Sequence, residues 1–242
     1  MSRARAAEDV KAGISVIVEH DADAVVAELF TSQGCSSCPP AQAFLGDLAR
    51  RADVIALEMH VDYWDSLKTT FAGSWKDPFS NPVWSQRQAD YNKFIMGGES
   101  VYTPQMIIDG RLQDAGARRS SINALIEQAR TLKKAKYKIS TQVKETGAVT
   151  VTVEGSGIPD PVQVVLARIE KESVTEVRGG ENKGATIGNH NIVKDMMVIG
   201  TWAGGKEEYK SNVSAFKAGE GCAVLLQDPD TMHILAGGMC KI

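Results

Sequence analysis

Apolar runs and helical spacing in the first half of the chain predict alternating strands and helices. Residues 24–30 and 54–61 form apolar runs whose length and β-branched content are typical of buried strands. Residues 41–49, between them, place apolar side chains at helical spacing, which predicts a helix. Two strands joined through a helix are expected to lie parallel, with a right-handed crossover. This part of the chain is therefore typical of an α/β fold.

Three further segments complete the first half. Residues 14–18 are predicted as a first strand, after a charged, alanine-rich leader over residues 1–13. Residues 65–100 form an insertion, with a helix over residues 82–94 and enough aromatic side chains to cover a site. A closing helix is predicted over residues 120–132.

From about residue 136 the pattern changes to short alternating strands with turns but no helices between them. These strands are predicted over residues 137–143, 149–153, 162–169, 193–200, 223–227 and 234–236. Such a succession predicts a small β-sandwich. We therefore predict two domains, over residues 14–134 and 136–242, with a boundary near residues 133–136.

Composition and charge narrow the classes of partner. With 43% hydrophobic and 24% charged residues, the chain is typical of a globular protein. A net charge of −3 gives no reason to expect a nucleic acid or an anionic membrane as partner. No apolar run is long enough to span a bilayer. Residues 1–8 lack the apolar core of a signal peptide, which leaves the compartment open.

The candidate chemistry lies in a Cys-Ser-Ser-Cys-Pro-Pro stretch, where the first buried strand gives way to the helix. The positive end of a helix stabilises a thiolate, which lowers the pKa of a cysteine there. We expect Cys35 to be the more exposed thiol and the nucleophile, and Cys38 to resolve a mixed disulfide. Pro39 and Pro40 suit the first helical turn. A Cys-x-x-Cys beside a strand–helix unit predicts a thioredoxin-like redox site.

Three other uses of this cysteine pair remain open. A structural zinc site would need two further Cys or His ligands at suitable spacing, and the chain has no second Cys-x-x-Cys. Inert thiols are a second alternative. A third is a soft-metal site, for example for Cu(I), formed by Cys35, Cys38 and His60.

Polar residues at the end of the second predicted strand are expected to face the cysteines, because chemistry gathers at the carboxyl ends of parallel strands. His60 and Asp62 are either solvated strand-end residues or a proton shuttle for Cys38. Trp64 is either part of the core or part of a substrate-binding surface.

Thr103 and Pro104 precede a short apolar strand and a glycine turn. In a thioredoxin-like fold the proline at this place follows a cis peptide bond and packs against the cysteines, and we predict this for Pro104. The alternative is an ordinary edge-strand proline. The backbone of Thr103 would then offer hydrogen bonds to an extended peptide substrate.

The second half contains two further features. Cys222 and Cys240 flank a predicted hairpin that turns at residues 228–230, and they form either a structural disulfide or two independent buried thiols. The glycine-rich residues 179–184 lack the Gly-Lys-Ser/Thr ending of a phosphate loop. We interpret them as a turn that packs onto the first domain, beside the covered site.

Several of these motifs together resemble a bacterial family of unknown function, DUF1223. The resemblance is carried by residues 28–40, 60–65, 77–79, 87–91, 102–105 and 178–182. Members of this family look like thioredoxin-fold proteins that are usually secreted. The resemblance therefore implies a thioredoxin-like fold and a periplasmic or secreted location.

The sequence predicts a thiol–disulfide oxidoreductase in which Cys35, Cys38 and Pro104 are catalytic and Thr103 and Trp64 bind the substrate. The expected substrate is a protein or small-molecule thiol or disulfide. No cofactor is expected beyond the cysteines themselves. The alternatives are a soft-metal-binding protein and a non-catalytic module that binds extended peptides.

Overall fold

The computed structural model of the protein describes residues 16–21, 24–67, 73–132, 137–144, 146–158 and 160–240. The predicted leader and the predicted domain boundary lie outside these residues. The elements of the first half are β1 (Val16–Asp21), β2 (Val25–Thr31), α1 (Pro39–Ala49), β3 (Val54–His60), α2 (Pro82–Ile95), β4 (Gln105–Ile108), β5 (Leu112–Ala115) and α3 (Arg119–Leu132). Those of the second half are β6 (Tyr137–Val143), β7 (Ala148–Gly155), β8 (Val162–Glu176), β9 (Thr186–Trp202), β10 (Gly205–Asn212), β11 (Glu220–Gln227) and β12 (Ile234–Met239).

The fold is α/β, with a large mixed sheet and, among the described residues, three helices. The sheet has eight strands in the order β12-β11-β8-β9-β3-β2-β4-β5. β2 pairs parallel with β3, as the helix between them predicted, and antiparallel with β4. β3 also pairs parallel with β9, at Glu58 and Ile192. Strands from both halves of the chain therefore share one sheet.

A second sheet has four strands in the order β1-β6-β7-β10. β1, which the sequence placed with the first half, pairs antiparallel with β6 of the second half. A short apolar run specifies a strand but not its partner, because pairing depends on which edge is free in three dimensions. The division into two domains stays a prediction, since the eight-stranded sheet spans both halves.

Apolar side chains form three buried clusters. α1 and α3 pack against one face of β2, β3 and β4. α2 packs against the opposite face, in a cluster that continues across β8, β9 and β11. The third cluster joins side chains of β6 and β7 to those of β8, β11 and β12. Because both faces of β2 and β3 are covered, every residue of these two strands is buried.

A buried ion pair fixes α2 to the sheet. Glu28 lies in β2 and is fully buried, and Arg87 Nε lies 2.9 Å from its Oε1. The Tyr91 hydroxyl donates to the second oxygen of Glu28. Gln227 of β11 accepts from Arg87 at 3.1 Å and donates to Tyr91 at 2.9 Å. An unpaired buried carboxylate would be strongly destabilising, so these contacts hold α2, β2 and β11 together.

No helix in the described part of the chain has the length and apolar composition needed to cross a bilayer.

Cys222 and Cys240 form a disulfide that joins β11 to the residue after β12. Their Cα atoms are 5.0 Å apart, and the strands between them form the predicted antiparallel hairpin. Both residues belong to the third apolar cluster, where Cys222 is fully buried and Cys240 is 5% exposed. The disulfide therefore crosslinks the last hairpin from within the core.

Replacing both Cys222 and Cys240 by Ser is expected to lower the free energy of unfolding by about 3 kcal/mol, because a crosslink across 18 residues restricts the unfolded chain. Urea denaturation of the oxidised protein and of the double variant measures the difference. The matched control is Cys35→Ser with Cys38→Ser, which removes a crosslink across only three residues and should cost less. An equal or larger loss in that control would contradict the assignment of Cys222–Cys240 as the structural disulfide.

Candidate functional site

Cys35 and Cys38 lie in the turn between β2 and α1, and they are paired as a disulfide with Cα atoms 5.4 Å apart. We call residues 33–38 the cysteine turn. Cys38 is the N-cap of α1, and Pro39 and Pro40 occupy the first helical positions. Because the two prolines carry no N–H, stabilisation of a thiolate at this helix start depends chiefly on the macrodipole.

Both cysteines are fully buried, at 0% exposure. The prediction that Cys35 would be the more exposed thiol is therefore wrong. Residues from the second half of the chain contact this turn, and the local sequence does not indicate them. Asn182 Nδ2 donates to the backbone oxygen of Gln33 at 2.9 Å and to that of Cys35 at 2.8 Å.

A second contact from the same loop reaches the neighbouring residue. The Ser36 N–H donates to Glu181 Oε2 at 2.9 Å, and hydrogen bonding from the Ser36 side chain and from this N–H holds the pKa of Glu181 below its usual value. Gly180 is buried against Trp75, with a φ of +68°, and a Cβ atom there would lie 3.0 Å from Trp75 Cβ. The loop over residues 179–184 therefore packs onto the cysteine turn, as predicted.

The predicted substrate residues lie on another side of this turn. The Thr103–Pro104 peptide bond is cis, as predicted. Ser37 Oγ lies 3.5 Å from the backbone oxygen of Thr103 and 3.3 Å from Cys35 Sγ. Trp64 Nε1 donates to Thr103 Oγ1 at 2.7 Å, and both of these residues are half-buried. The structure therefore brings Trp64 and Thr103 together beside the cysteine turn.

His60 ends β3 and is fully buried between two carboxylates, so its interpretation as a solvated strand-end residue is wrong. Its Nδ1 lies 2.7 Å from Asp77 Oδ2, and its Nε2 lies 3.4 Å from Glu58 Oε1, without hydrogen-bond alignment. Burial lowers the pKa of His60, but Asp77 and Glu58 outweigh it and raise that pKa to about 10. Burial also raises the pKa of Asp77, but the His60 charge brings it below its usual value. His60 is therefore protonated at neutral pH, and we call His60, Asp77 and Glu58 the ion triad.

Asp62 takes no part in this triad. Ser85 Oγ of α2 donates to Asp62 Oδ1 at 2.5 Å, and the Asp62 N–H donates back to Ser85 Oγ at 3.1 Å. The carboxylate on His60 Nδ1 is that of Asp77, which the sequence indicated only as part of the resemblance over residues 77–79. The structure therefore separates the predicted pair of His60 and Asp62.

Amide side chains link the ion triad to the cysteine turn. The Gln33 N–H donates to Asp77 Oδ2 at 2.7 Å, and Gln33 Nε2 donates to Asn189 Oδ1 at 3.0 Å. Asn189 Nδ2 donates to Glu58 Oε1 at 2.9 Å, and Gln42 of α1 donates to the same oxygen at 3.1 Å. Gln33 and Gln42 flank the cysteine pair in the sequence. The turn is therefore held to the triad on both sides.

Sequence reasoning missed most of this network, although one signal was present. Glu58 is a lone carboxylate inside an otherwise apolar strand, and a buried charge needs a partner. That signal predicts a cation near Glu58, and the next residue but one, His60, supplies it. Nothing local in the sequence indicates Gln33 or Asn189 as further members.

The geometry does not support the soft-metal alternative. Both ring nitrogens of His60 face carboxylates, so neither is directed at Cys35 and Cys38. Across the part of the chain that the structure describes, no group of three or more His, Cys, Asp or Glu side chains has an arrangement that could hold a metal ion.

Comparison with known proteins agrees with the motifs. Residues 26–227 match a family described as protein of unknown function, DUF1223. The chain belongs to the DUF1223 family. The match includes the cysteine turn, the ion triad and the loop over residues 179–184, so the whole site lies within the family region.

This DUF1223 protein is also similar to a solved structure. The crystal structure of protein AGR_C_4864 from Agrobacterium tumefaciens, a structural genomics target, shares 30% sequence identity with it and a TM-score of 0.75. The similarity covers 89% of this chain and 92% of that one. No curated protein matches the sequence.

Replacing His60 of this DUF1223 protein by Gln is expected to lower the free energy of unfolding by about 3–5 kcal/mol near pH 6, because two buried carboxylates lose their cation. The folded protein holds the His60 proton up to about pH 10, whereas an unfolded histidine releases it near pH 6.5. The stabilisation is therefore complete below about pH 6.5 and is lost as the pH rises through about 10. Urea denaturation of both proteins across this range measures the loss.

The matched control is His233→Gln. Burial lowers the pKa of His233, so its protonation opposes folding and its contribution changes with pH in the opposite direction. If His60→Gln lowers the free energy of unfolding by the same amount at every pH in this range, the result would contradict a protonated His60 in the folded protein.

Proposed function

We propose that this protein is a thioredoxin-like thiol–disulfide oxidoreductase that acts through Cys35 and Cys38. The observation that carries the proposal is the place of this pair. Two cysteines at disulfide distance occupy the turn from a central parallel strand to the start of α1, with the Thr103 carbonyl beside them. A helix start favours a thiolate, which is the reactive form of cysteine.

The order β3-β2-β4-β5 within the large sheet, with α1 and α3 packed on one face, supports a thioredoxin-like arrangement. The cluster between β6–β7 and β8–β11–β12 supports a β-sandwich in the second half. The buried Cys222–Cys240 disulfide suits an oxidising compartment, which agrees with a periplasmic or secreted location.

In the proposed reaction the Cys35 thiolate attacks one sulfur of a substrate disulfide. A bond from Cys35 Sγ to that sulfur forms, the substrate disulfide breaks, and the departing thiolate takes up a proton. The Cys38 thiolate then attacks Cys35 Sγ and releases the second substrate thiol. The substrate gains two electrons and the protein ends with its disulfide. The reverse sequence oxidises a substrate dithiol.

Thr103 and Trp64 are the proposed substrate-binding residues. An extended peptide beside Thr103 would pair with its backbone, in the manner of an added strand. The half-buried Trp64 ring, held by its bond to Thr103, would supply apolar contact next to that backbone. Substrates of this kind are protein or peptide thiols and disulfides.

A redox titration in a glutathione series, read by alkylation and mass spectrometry, tests the proposal. We expect a reversible two-electron transition of Cys35–Cys38 with a midpoint between about −270 and about −120 mV, the range of known thiol oxidoreductases. Cys222–Cys240 should stay oxidised, because structural disulfides have potentials below about −300 mV. Cys35→Ser should abolish the transition.

The matched control is Cys222→Ser with Cys240→Ser, which should retain the transition of Cys35–Cys38. The proposal fails if Cys35–Cys38 shows no transition anywhere in the series. If the original protein shows no transition and its Cys35→Ser variant still binds extended peptides, the results favour the non-catalytic peptide-binding module instead.

A further inference from the structure

The loop between β8 and β9 ends a long hairpin and closes on itself before it reaches the cysteine turn. The Val177 N–H donates to the Ala185 oxygen at 2.9 Å, and the Gly184 N–H donates to the Val177 oxygen at 2.8 Å. Within this closed loop, residues 179–184 form what we call the clasp. These two backbone hydrogen bonds close the base of the loop, and side chains of the clasp extend from there to the cysteine turn.

Two side chains of the clasp make three hydrogen bonds to the cysteine turn. Asn182 donates to the oxygens of Gln33 and Cys35, and Glu181 accepts from the N–H of Ser36. All three bonds are made to backbone groups. They therefore hold the backbone of the turn in place.

Burial of Cys35 conflicts with direct attack on its sulfur. Thiol–disulfide exchange needs a nucleophile to reach the sulfur atom itself. Cys35 is 0% exposed, whereas Ser36 and Ser37 beside it are exposed. The turn thus reaches the surface while its reactive residue does not. Asn182 is itself half-buried and Glu181 is exposed, so their contacts lie at the surface, where they can break without opening the core.

We propose that Glu181 and Asn182 are positioning residues that hold the cysteine turn closed, so that the Cys35–Cys38 disulfide reacts only when the clasp is released. This inference rests on the proposed function and adds to it a control of access. Reaction then has two steps, release of the clasp and exchange at Cys35. The population of released molecules limits the rate with every reagent, small or large.

Reduction of the native protein by a water-soluble phosphine tests this inference, because the reagent needs only access to a disulfide. For the original protein and for each variant, the rate of reduction is measured separately for Cys35–Cys38 and for Cys222–Cys240, by alkylation and mass spectrometry. Asn182→Ala removes two hydrogen bonds and should accelerate reduction of Cys35–Cys38 by roughly tenfold or more. Glu181→Gln keeps an acceptor for Ser36 but loses its charge, and should accelerate it less.

The second disulfide is the internal control. Cys222–Cys240 lies in another apolar cluster, so its rate should stay unchanged in both variants unless they loosen the whole fold. Lys183→Ala, at an exposed position of the same clasp, should change neither rate. Asn182→Gln, which keeps the amide, should restore part of the protection that Asn182→Ala loses.

If Cys35–Cys38 is reduced at the same rate in the original protein and in Asn182→Ala, the inference that the clasp controls access is overturned. Equal acceleration of both disulfides would overturn it as well. Neither outcome bears on whether the pair has a redox transition. Conversely, consider the case in which Asn182→Ala accelerates reduction of Cys35–Cys38 alone, while that pair shows no transition in the glutathione series. This result would overturn the proposed function but support the control of access by the clasp.

Discussion

An imidazolium and two carboxylates cannot be buried in a sheet separately, and this constraint organises the site. Each charge of the Glu58–His60–Asp77 triad would be strongly destabilising without the others, so the three must be brought together during folding. Glu58 and His60 arrive on β3, but Asp77 lies in the segment before α2. That segment must therefore pack over the end of β3. The Glu28–Arg87 pair keeps it there, because it fixes α2 to the same sheet.

The same triad joins the two halves of the chain. Glu58 accepts from Asn189 Nδ2 and from the His190 N–H, both of which belong to β9. Pairing of β3 with β9 at Glu58 and Ile192 places these donors. Once β9 lies beside β3, the hairpin that it forms with β8 carries Glu181 and Asn182 to the cysteine turn. The turn is thus held from its buried side by Gln33 and Gln42 and from its surface side by the clasp.

The sequence was sufficient to predict those features of the structure that neighbouring residues determine. The order β2-α1-β3 and the hairpin between Cys222 and Cys240 follow from patterns within a few residues, and the cis bond before Pro104 was expected from the thioredoxin-like fold that the sequence predicted. The sequence was not sufficient to predict contacts between residues or strands that are far apart in the chain. The partner strand of β1 and the contacts on the cysteine turn both involve residues more than a hundred positions away, such as Lys138 opposite Asp21 and Asn182 on Cys35. Asp62 and Asp77 are both aspartates near His60 in the fold, and only the path of the chain before α2 decides which one contacts it.

Two disulfides of similar burial stand in different surroundings, and this contrast bears on their chemistry. Cys222–Cys240 lies among apolar side chains, where a thiolate would be poorly solvated, so reduction there gains nothing from ionisation. Cys35–Cys38 lies at the start of a helix, next to exposed serines, in a turn that Gln33 links to Asp77 of the ion triad. The helix dipole favours a thiolate there, whereas Glu181 on the Ser36 N–H opposes one. Since stabilising the thiolate raises the reduction potential, the pair at the helix should be the more easily reduced of the two. Burial alone thus does not decide which disulfide is structural; the charge and dipole around the reduced sulfur do.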